Sequence, residues 1–212
     1  MNELWSGRAD AYREAVEHRE GEDLDRIVEW SVGAKTALDV ATGGGHVARR
    51  LREAGLGVVT ADPAPGMRAD VLCRAEDLPF ADDSFDVALT RIAPHHFQDV
   101  AAAVGELARV SRELVIVEDT LFASEAVEEA ERLRDPTHVR SYTEREWRGL
   151  LASAGLTVEA IERYEKRHPV EPWLARTATS DEDAARVREL LADRIDDGEY
   201  VDTKILVRAR KR

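Results

Sequence analysis

The chain has 212 residues, of which 43% are hydrophobic, a composition typical of a globular protein large enough for a full core. Its formal net charge of −13 argues against general electrostatic attraction to nucleic acid or to an anionic membrane. Cys73 is the only cysteine, which excludes a disulfide framework and a cluster of thiolate metal ligands. The charged N-terminal segment and the short apolar runs predict a soluble, cytoplasmic protein with no membrane partner.

Strand and helix patterns alternate over the first 120 residues. Apolar runs predict strands at 36–41, 57–62, 70–75, 84–92 and 113–119, the third of them weak. Helical spacing follows the first strand up to Gly55, and again from Val100 to Val110. Strands separated by helices predict right-handed crossovers and a parallel sheet.

The second half of the chain is more helical. The charged segment 124–135 predicts a helix that faces solvent, and Thr143 with Glu146 forms a capping box for another. Alternating residues predict two late strands at 156–164 and 202–210, with one or two helices between them. Because there is no internal repeat or low-complexity linker, we expect a single domain over residues 1–212.

A glycine-rich turn follows the first strand in the stretch TALDVATGGGHVARRL. Gly43, Gly45 and Ala48 fit the G-x-G-x-x-G/A fingerprint of dinucleotide-binding folds. Asp62 ends the next strand, where an acid can accept hydrogen bonds from ribose hydroxyls. The turn lacks the Gly-Lys-Ser/Thr ending of a P-loop. The pattern therefore favours an adenosine-containing ligand over a tight turn without a ligand.

Asp39 distinguishes between two adenosine ligands. A carboxylate beside the turn would repel the pyrophosphate of NAD(P) and attract the ammonium or sulfonium group of S-adenosylmethionine. The alternative for Asp39 is a strand-end residue that caps a local turn. S-adenosylmethionine is therefore the predicted cofactor, and an NAD(P)-dependent oxidoreductase or a non-catalytic adenosine-ligand sensor are the alternatives.

The segment RAEDLPFADDSFDVALTRIAPHHF, residues 74–97, extends this pattern. Together with LDVATGGGHVA and VVTADPAPGM it resembles the class I S-adenosylmethionine-dependent methyltransferases, especially the ubiquinone/menaquinone-type small-molecule branch. The resemblance implies an α/β fold: a doubly wound, mostly parallel, seven-stranded Rossmann-like sheet with an antiparallel last strand. It also implies methyl transfer to a small-molecule O, N or activated C nucleophile.

The same resemblance implies a set of cofactor contacts. Asp62 would hold the ribose, Met67 would pack on the adenine, and Ala75 with Glu76 would lie at the adenine edge. Ala41 stands at the first glycine position of the family motif, and Arg74 stands where the family often has Asp. The predicted cofactor-binding residues are Asp39, Ala41, Thr42, Gly43, Gly45, Asp62, Pro63, Met67, Ala75, Glu76 and Arg91.

His95 and His96 are the candidate catalytic residues. They follow the fourth strand, where open parallel sheets place their ligand crevice. One of them would act as a general base or as a hydrogen-bond partner of the methyl acceptor; helix capping or packing is the alternative. We expect His95 to face the acceptor and His96 to turn toward the following helix. Metal-ligand spacing is absent, so no metal is expected.

Three further residues are candidate contacts for the acceptor. Tyr12 and His18 lie in residues 1–30, which the resemblance indicates as a helical lid over the cofactor. His138 lies among the arginines of RDPTHVR and could recognise an anionic group, with helix-ending chemistry at Asp135 and Pro136 as the alternative. Residues 31–120 would then form the cofactor-binding core, and residues 121–212 would shape the acceptor site.

Overall fold

A computed structural model describes residues 2–14 and 19–212 of the chain. The helices are α1 (Asn2–Glu14), α2 (Glu22–Trp30), α3 (His46–Glu53), α4 (Val100–Val110), α5 (Glu125–Arg134), α6 (Glu144–Ser153), α7 (Val170–Ala175) and α8 (Asp181–Leu190). The strands are β1 (Thr36–Val40), β2 (Gly57–Ala61), β3 (Phe85–Arg91), β4 (Ser111–Thr120), β5 (Leu156–Pro169), β6 (Ile195–Asp196) and β7 (Glu199–Lys211). Short 3₁₀ turns lie at Pro65–Met67, Pro94–His96 and Ala192–Arg194.

The strands form one seven-stranded sheet with the order β2-β1-β3-β4-β7-β5, and β6 pairs with β7 beside this path. β1 runs parallel to both β2 and β3, and β3 runs parallel to β4. β7 is antiparallel to its neighbours β4 and β5. The mostly parallel, Rossmann-like sheet with an antiparallel last strand is therefore confirmed.

Apolar layers cover both faces of the sheet. Val115 and Val117 of β4 pack in the layer that also contains Leu107 of α4 and Trp147 of α6. The alternate residue Ile116 packs in the opposite layer, which includes residues of α2 and α3. A strand buried on both faces has no polar side, which explains the continuous apolar run in the middle of β4.

The predicted strand at 70–75 is wrong. Among the described residues this segment forms only isolated bridges, from Val71 to Ala61 and from Arg74 to Asp77. The side chain of Asp70 accepts hydrogen bonds from the amide and hydroxyl of Thr60, at 2.9 and 2.8 Å. This side-chain contact replaces part of the strand ladder. The seventh strand of the sheet is instead β6, which has two residues.

Helix α5 is present as predicted, and Glu125, Glu129 and Arg132 face solvent, but its other charged face is buried. Glu128, Glu131 and Arg134 are all buried. Glu131 accepts a hydrogen bond from Arg134 at 3.0 Å, and Glu128 lies 3.1 Å from a ring nitrogen of His138. A buried charge is tolerated where a partner is present. Glu131 and Arg134 are one helical turn apart, and His138 follows the same helix, so the charged residues of this face pair locally.

Helix α1 lies against the turn at Pro65–Met67. The amide of Gly66 donates to Ser6 Oγ at 3.0 Å, and a Cβ added to Gly66 would lie 2.6 Å from Ser6 Cα. Arg8 forms an ion pair with Asp135 at 3.1 Å, so α1 also contacts the second half of the chain. The division into a lid, a cofactor core and an acceptor region stays a prediction.

Within the described residues, each helix is too short or too polar to cross a bilayer. The cytoplasmic location stays a prediction.

Candidate active site

A cleft that is partly open to solvent lies where the parallel strands β1, β2 and β3 end. This is the edge at which open α/β sheets bind ligands, because the loops diverge there. Gly45, alone among the predicted cofactor residues, is not part of the lining. The predicted cofactor residues that line the cleft are Asp39, Ala41, Thr42, Gly43, Asp62, Pro63, Met67, Ala75, Glu76 and Arg91.

The glycine turn after β1 consists largely of residues in left-handed conformations. Ala41, Gly43 and Gly45 have φ values of 56°, 51° and 74°. The amide of Thr42 donates to the carbonyl of Ala61 in β2 at 3.1 Å, and Gly45 then caps the N-terminus of α3. A left-handed conformation costs an ordinary residue about 1–2 kcal/mol. The turn therefore explains why glycines occur here, and Ala41 occupies a strained position.

Asp39 is buried beneath this turn. Its Oδ2 accepts hydrogen bonds from the hydroxyl of Thr42 at 2.6 Å and from the amide of Ala48 at 3.2 Å. Burial raises the pKa of Asp39 to about 6, although these two hydrogen bonds favour the charged form. Asp39 thus caps the turn and also presents a carboxylate to the cleft, so the two interpretations of the sequence are compatible.

Asp62 lies beside the turn at the end of β2. Its two oxygens accept hydrogen bonds from the amides of Gly43, at 3.1 Å, and Ala64, at 2.9 Å. Burial raises the pKa of this carboxyl, and both amides oppose that shift. A ribose contact for Asp62 stays a prediction.

The expected adenine side of the cleft contains Met67, Ala75 and Glu76. Met67 is 7% exposed and belongs to a small cluster beneath α1. The Glu76 carboxylate accepts a hydrogen bond from the amide of Gln98 at 2.9 Å and forms an ion pair with Arg74 at 3.2 Å. Arg74, at the position where the family often has Asp, therefore neutralises Glu76 at the rim of the cleft.

Arg91 lines the cleft at the end of β3, but carboxylates hold its guanidinium group. Its Nε donates to Asp23 at 2.7 Å and to Glu118 at 3.1 Å, and the side chain is 6% exposed. Burial disfavours the charge, but Glu118 and Asp23 outweigh burial and raise the pKa of Arg91. The sequence contained no signal for this network, because its members lie on three separate elements. A cofactor contact by Arg91 stays a prediction.

His95 and His96 both line the cleft, in the 3₁₀ turn after β3. His95 Nδ1 lies 2.5 Å from Oδ1 of Asp119, and both side chains are buried. His96 does not turn toward α4, which corrects the expectation. Its Nδ1 lies 3.1 Å from the carbonyl oxygen of Thr137, and its ring meets the edge of Trp5 at a centroid distance of 4.8 Å. His96 lies against the segment after α5 because the carbonyl oxygen of Thr137 there can accept a hydrogen bond from its ring.

Residues from the second half of the chain close the other end of the cleft, which we term the acceptor end. His138 lies there, as expected, with its Nε2 3.1 Å from Glu128. Lys204 donates to Asp202 at 2.7 Å and to Thr120 at 2.6 Å. Most of the residues at this end had no signal in the sequence. The lining residues of the acceptor end are His95, His96, Thr120, Glu131, Arg134, His138, Ser141, His168, Trp173, Arg176, Asp202 and Lys204.

Two residues of the acceptor end belong to neighbouring strands of the sheet. His168 of β5 has its Nε2 3.2 Å from Oδ2 of Asp202 in β7. Nearby, the guanidinium of Arg134 lies over the ring of Trp173, 4.4 Å from its centroid. The described residues contain no group of three or more His, Cys, Asp or Glu side chains arranged to hold a metal ion. The side chain of Tyr12 and the whole of His18 lie outside the described part of the chain.

Comparisons with known proteins agree with this geometry. Residues 38–116 match the family model described as a methyltransferase domain. The uncharacterized methyltransferase YcgJ of Bacillus subtilis is 30% identical, in an alignment covering 82% of this chain and 79% of that protein. The chain belongs to the class I S-adenosylmethionine-dependent methyltransferases.

Solved structures of other proteins share the methyltransferase fold. A candidate methyltransferase from Bacillus halodurans is 26% identical, with a TM-score of 0.80 over 90% of this chain and 99% of that one. The crystal structure of YcgJ has a TM-score of 0.81 over 90% of this chain and 98% of that one, at 24% identity. The ubiquinone/menaquinone branch stays a prediction.

The cofactor of this methyltransferase is S-adenosylmethionine, and the residues present fit it. A Cβ added to Gly43 would have open space around it, with the carbonyl oxygen of Ala41 nearest at 4.0 Å, so a ligand can approach the backbone closely. Asp39 and Asp62 place two carboxylates at this end of the cleft, which suits a cationic ligand with ribose hydroxyls.

Proposed function

We propose that this methyltransferase transfers a methyl group to a small polar molecule held at the acceptor end of its cleft. The observation that carries the proposal is the continuity of the cleft. The same cavity reaches from Gly43 and Asp62, on the cofactor side, to His138 and Lys204 on the opposite side. A donor and an acceptor bound in one cavity can meet without crossing solvent.

The burial of the acceptor end supports a small molecule. His168, Trp173 and Lys204 are each 3–4% exposed. The acceptor must therefore reach a recessed part of the cleft, whereas a nucleic acid would need an open and basic surface. The net charge of −13 also disfavours an RNA acceptor. Imidazole, carboxylate and ammonium groups line this end, and a polar molecule could form hydrogen bonds with them.

The chain's own residues would contribute mainly alignment. S-adenosylmethionine supplies a methyl group on a positively charged sulfur, which departs as a neutral thioether. Asp39, Asp62 and the glycine turn would fix the donor, and the acceptor end would hold the nucleophile in line with the methyl carbon. Correct alignment of two bound reactants is worth roughly 7–11 kcal/mol of the barrier. A base is needed only where the acceptor must lose a proton.

Calorimetry tests the cofactor side of the proposal. S-adenosylhomocysteine is expected to bind at micromolar concentrations, and NAD or NADP is not expected to compete. Donor carrying a labelled methyl group, incubated separately with small-molecule, RNA and protein fractions of a cell extract, tests the acceptor class. Label in the small-molecule fraction alone is the expected result. Label in RNA or protein would refute the small-molecule acceptor.

A further inference from the structure

Asp119 is a buried carboxylate whose side chain is directed at one histidine. It lies near the end of β4 and has no exposed surface. Oδ1 lies 2.5 Å from Nδ1 of His95, while Oδ2 has no hydrogen-bond partner among the described residues. Burying a carboxylate costs free energy, because the group loses its hydration. Its contact with His95 is the hydrogen bond that offsets this cost.

His95 connects Asp119 to the cleft. Asp119 does not line the cleft, whereas His95 does. Because Nδ1 is engaged by Asp119, Nε2 is the ring nitrogen left for a ligand; within the described part of the chain it has no hydrogen-bond partner. A carboxylate on Nδ1 fixes the ring and the tautomer, so that Nε2 presents a lone pair.

Burial and nearby charges set the pH range in which this lone pair is available. Burial lowers the pKa of His95 to about 3 and raises the pKa of Asp119 to about 7. When the pH falls through about 7, the pair therefore gains one proton, which the carboxylate and the imidazole share. Above this pH, Asp119 is ionised and the imidazole is neutral. The titratable and charged groups that act on the pair are His96, His138, Tyr142, Lys204, Glu131 and Arg134.

We propose that Asp119 and His95 form a carboxylate–imidazole pair that deprotonates a hydroxyl acceptor, an inference that rests on the proposed function. Nε2 takes the hydroxyl proton as the acceptor oxygen bonds to the methyl carbon. The bond from sulfur to that carbon breaks, its electron pair stays on sulfur, and S-adenosylhomocysteine leaves. The proton then passes from His95 to solvent. His95 is the catalytic residue in this step and Asp119 is its positioning residue.

A hydroxyl group fits this pair better than a thioether or an amine. A thioether or a tertiary amine has a free electron pair and no proton to lose, so a base would serve no purpose. An ammonium group would be disfavoured by Lys204 and Arg134, whose positive charge already acts on His95. The same charge stabilises the oxygen anion that develops as a hydroxyl loses its proton. Acidic hydroxyls, such as phenols and enols, match a base that titrates near neutrality.

Nitrogen-15 NMR of the histidines, in the protein bound to S-adenosylhomocysteine, tests the pair without an acceptor. His95 is expected to have a protonated Nδ1 and an unprotonated Nε2 above pH 7.5, with a transition near pH 7. Asp119→Asn is expected to abolish that transition. Glu128→Gln is the matched control, because it alters the partner of His138 and is expected to leave the proton of His95 on Nδ1 above pH 7.5. A proton on Nε2 of wild-type His95 above pH 7.5 would overturn the proposal, even if Asp119→Asn failed to fold.

The labelled-donor experiment tests the acceptor atom. We expect the methyl carbon to be attached to oxygen in the product. With that acceptor, Asp119→Asn and His95→Gln should each lower kcat by roughly 10²-fold or more and remove the acidic limb near pH 7. Affinity for S-adenosylhomocysteine should stay within about twofold, since neither residue belongs to the predicted cofactor set. A methyl group on nitrogen, sulfur or carbon would overturn this inference and leave methyl transfer itself intact. Absence of any transfer would instead contradict the proposed function, and the NMR result would still decide on the pair.

Discussion

Asp62 links the end of β2 to the glycine turn after β1, because its Oδ2 accepts a hydrogen bond from the amide of Gly43 at 3.1 Å. Its Oδ1 accepts a second bond, from Ala64, at 2.9 Å. A carboxylate held by two amides is already oriented before a ligand arrives. The cofactor side of the cleft is therefore preorganised, which reduces the entropy lost on binding.

Replacing Asp62 with Ala should weaken both the fold and the binding of S-adenosylhomocysteine. Two amides lose their acceptor, which costs about 1–3 kcal/mol of unfolding free energy. Loss of the predicted ribose contact should lower the affinity about ten- to a hundredfold. Asp70→Ala is the matched control, because Asp70 also accepts hydrogen bonds, two from Thr60 and one from Arg52, but lies outside the cleft lining. If calorimetry shows normal affinity for Asp62→Ala, the assignment of Asp62 to the ribose is wrong.

Ala41→Gly should stabilise the protein. Ala41 has φ of 56°, where a side chain costs about 1–2 kcal/mol, and the greater freedom of glycine in the unfolded chain offsets about 0.5–1 kcal/mol of that. The expected net gain is about 0.5–1 kcal/mol in urea denaturation. Ala54 has φ of −81°, so Ala54→Gly should lose stability by a similar amount. A loss in both variants would show that Ala41 is not strained.

The cofactor side of the cleft could be predicted from the sequence because its signals are local. A strand, a glycine turn and a helix are contiguous in residues 36–51, and Asp62 ends the next strand. The rule that parallel strands end at one edge then brings these segments together without further information. The weak strand at 70–75 was wrong, because a side-chain contact to Thr60 replaced the ladder, and Gly45 does not line the cleft.

The acceptor end could not be predicted because it depends on distant pairing. His168 lies in β5 opposite Tyr200 of β7, two residues from Asp202. The alternation pattern ended the late strand at 164, so it left His168 outside the sheet. Asp119 gave no signal either, since an acid at the end of an apolar strand does not reveal which histidine it will meet. Register between β5 and β7 fixes the contact of His168 with Asp202, and local patterns do not encode it.

Two glycines of the turn should respond differently to alanine. Gly43 and Gly45 both have positive φ, so each Gly→Ala change should cost about 1 kcal/mol of stability. Gly43 lines the cleft and Gly45 does not. Calorimetry should therefore show reduced affinity for S-adenosylhomocysteine in Gly43→Ala and nearly normal affinity in Gly45→Ala. Equal affinities in the two variants would mean that glycine serves only the backbone conformation of this turn.

Asp39→Asn should stabilise the protein at alkaline pH and weaken the binding of the methyl donor. Burial raises the pKa of Asp39 from 3.8 to about 6 in the folded state, so the folded chain binds more protons than the unfolded chain between these values. Stability therefore falls as pH rises through this window, and the full penalty is present above it. Asn carries no charge and keeps an acceptor for Thr42, so urea denaturation should show a gain of roughly 1–3 kcal/mol at pH 8 and none at pH 3. Asp39→Ala, which also loses the bonds from Thr42 and Ala48, should show a smaller gain or a loss. Affinity for S-adenosylhomocysteine should fall about tenfold or more in Asp39→Asn, because the ammonium group loses its carboxylate. A gain of equal size at both pH values would show that burial of the charge is not its cause.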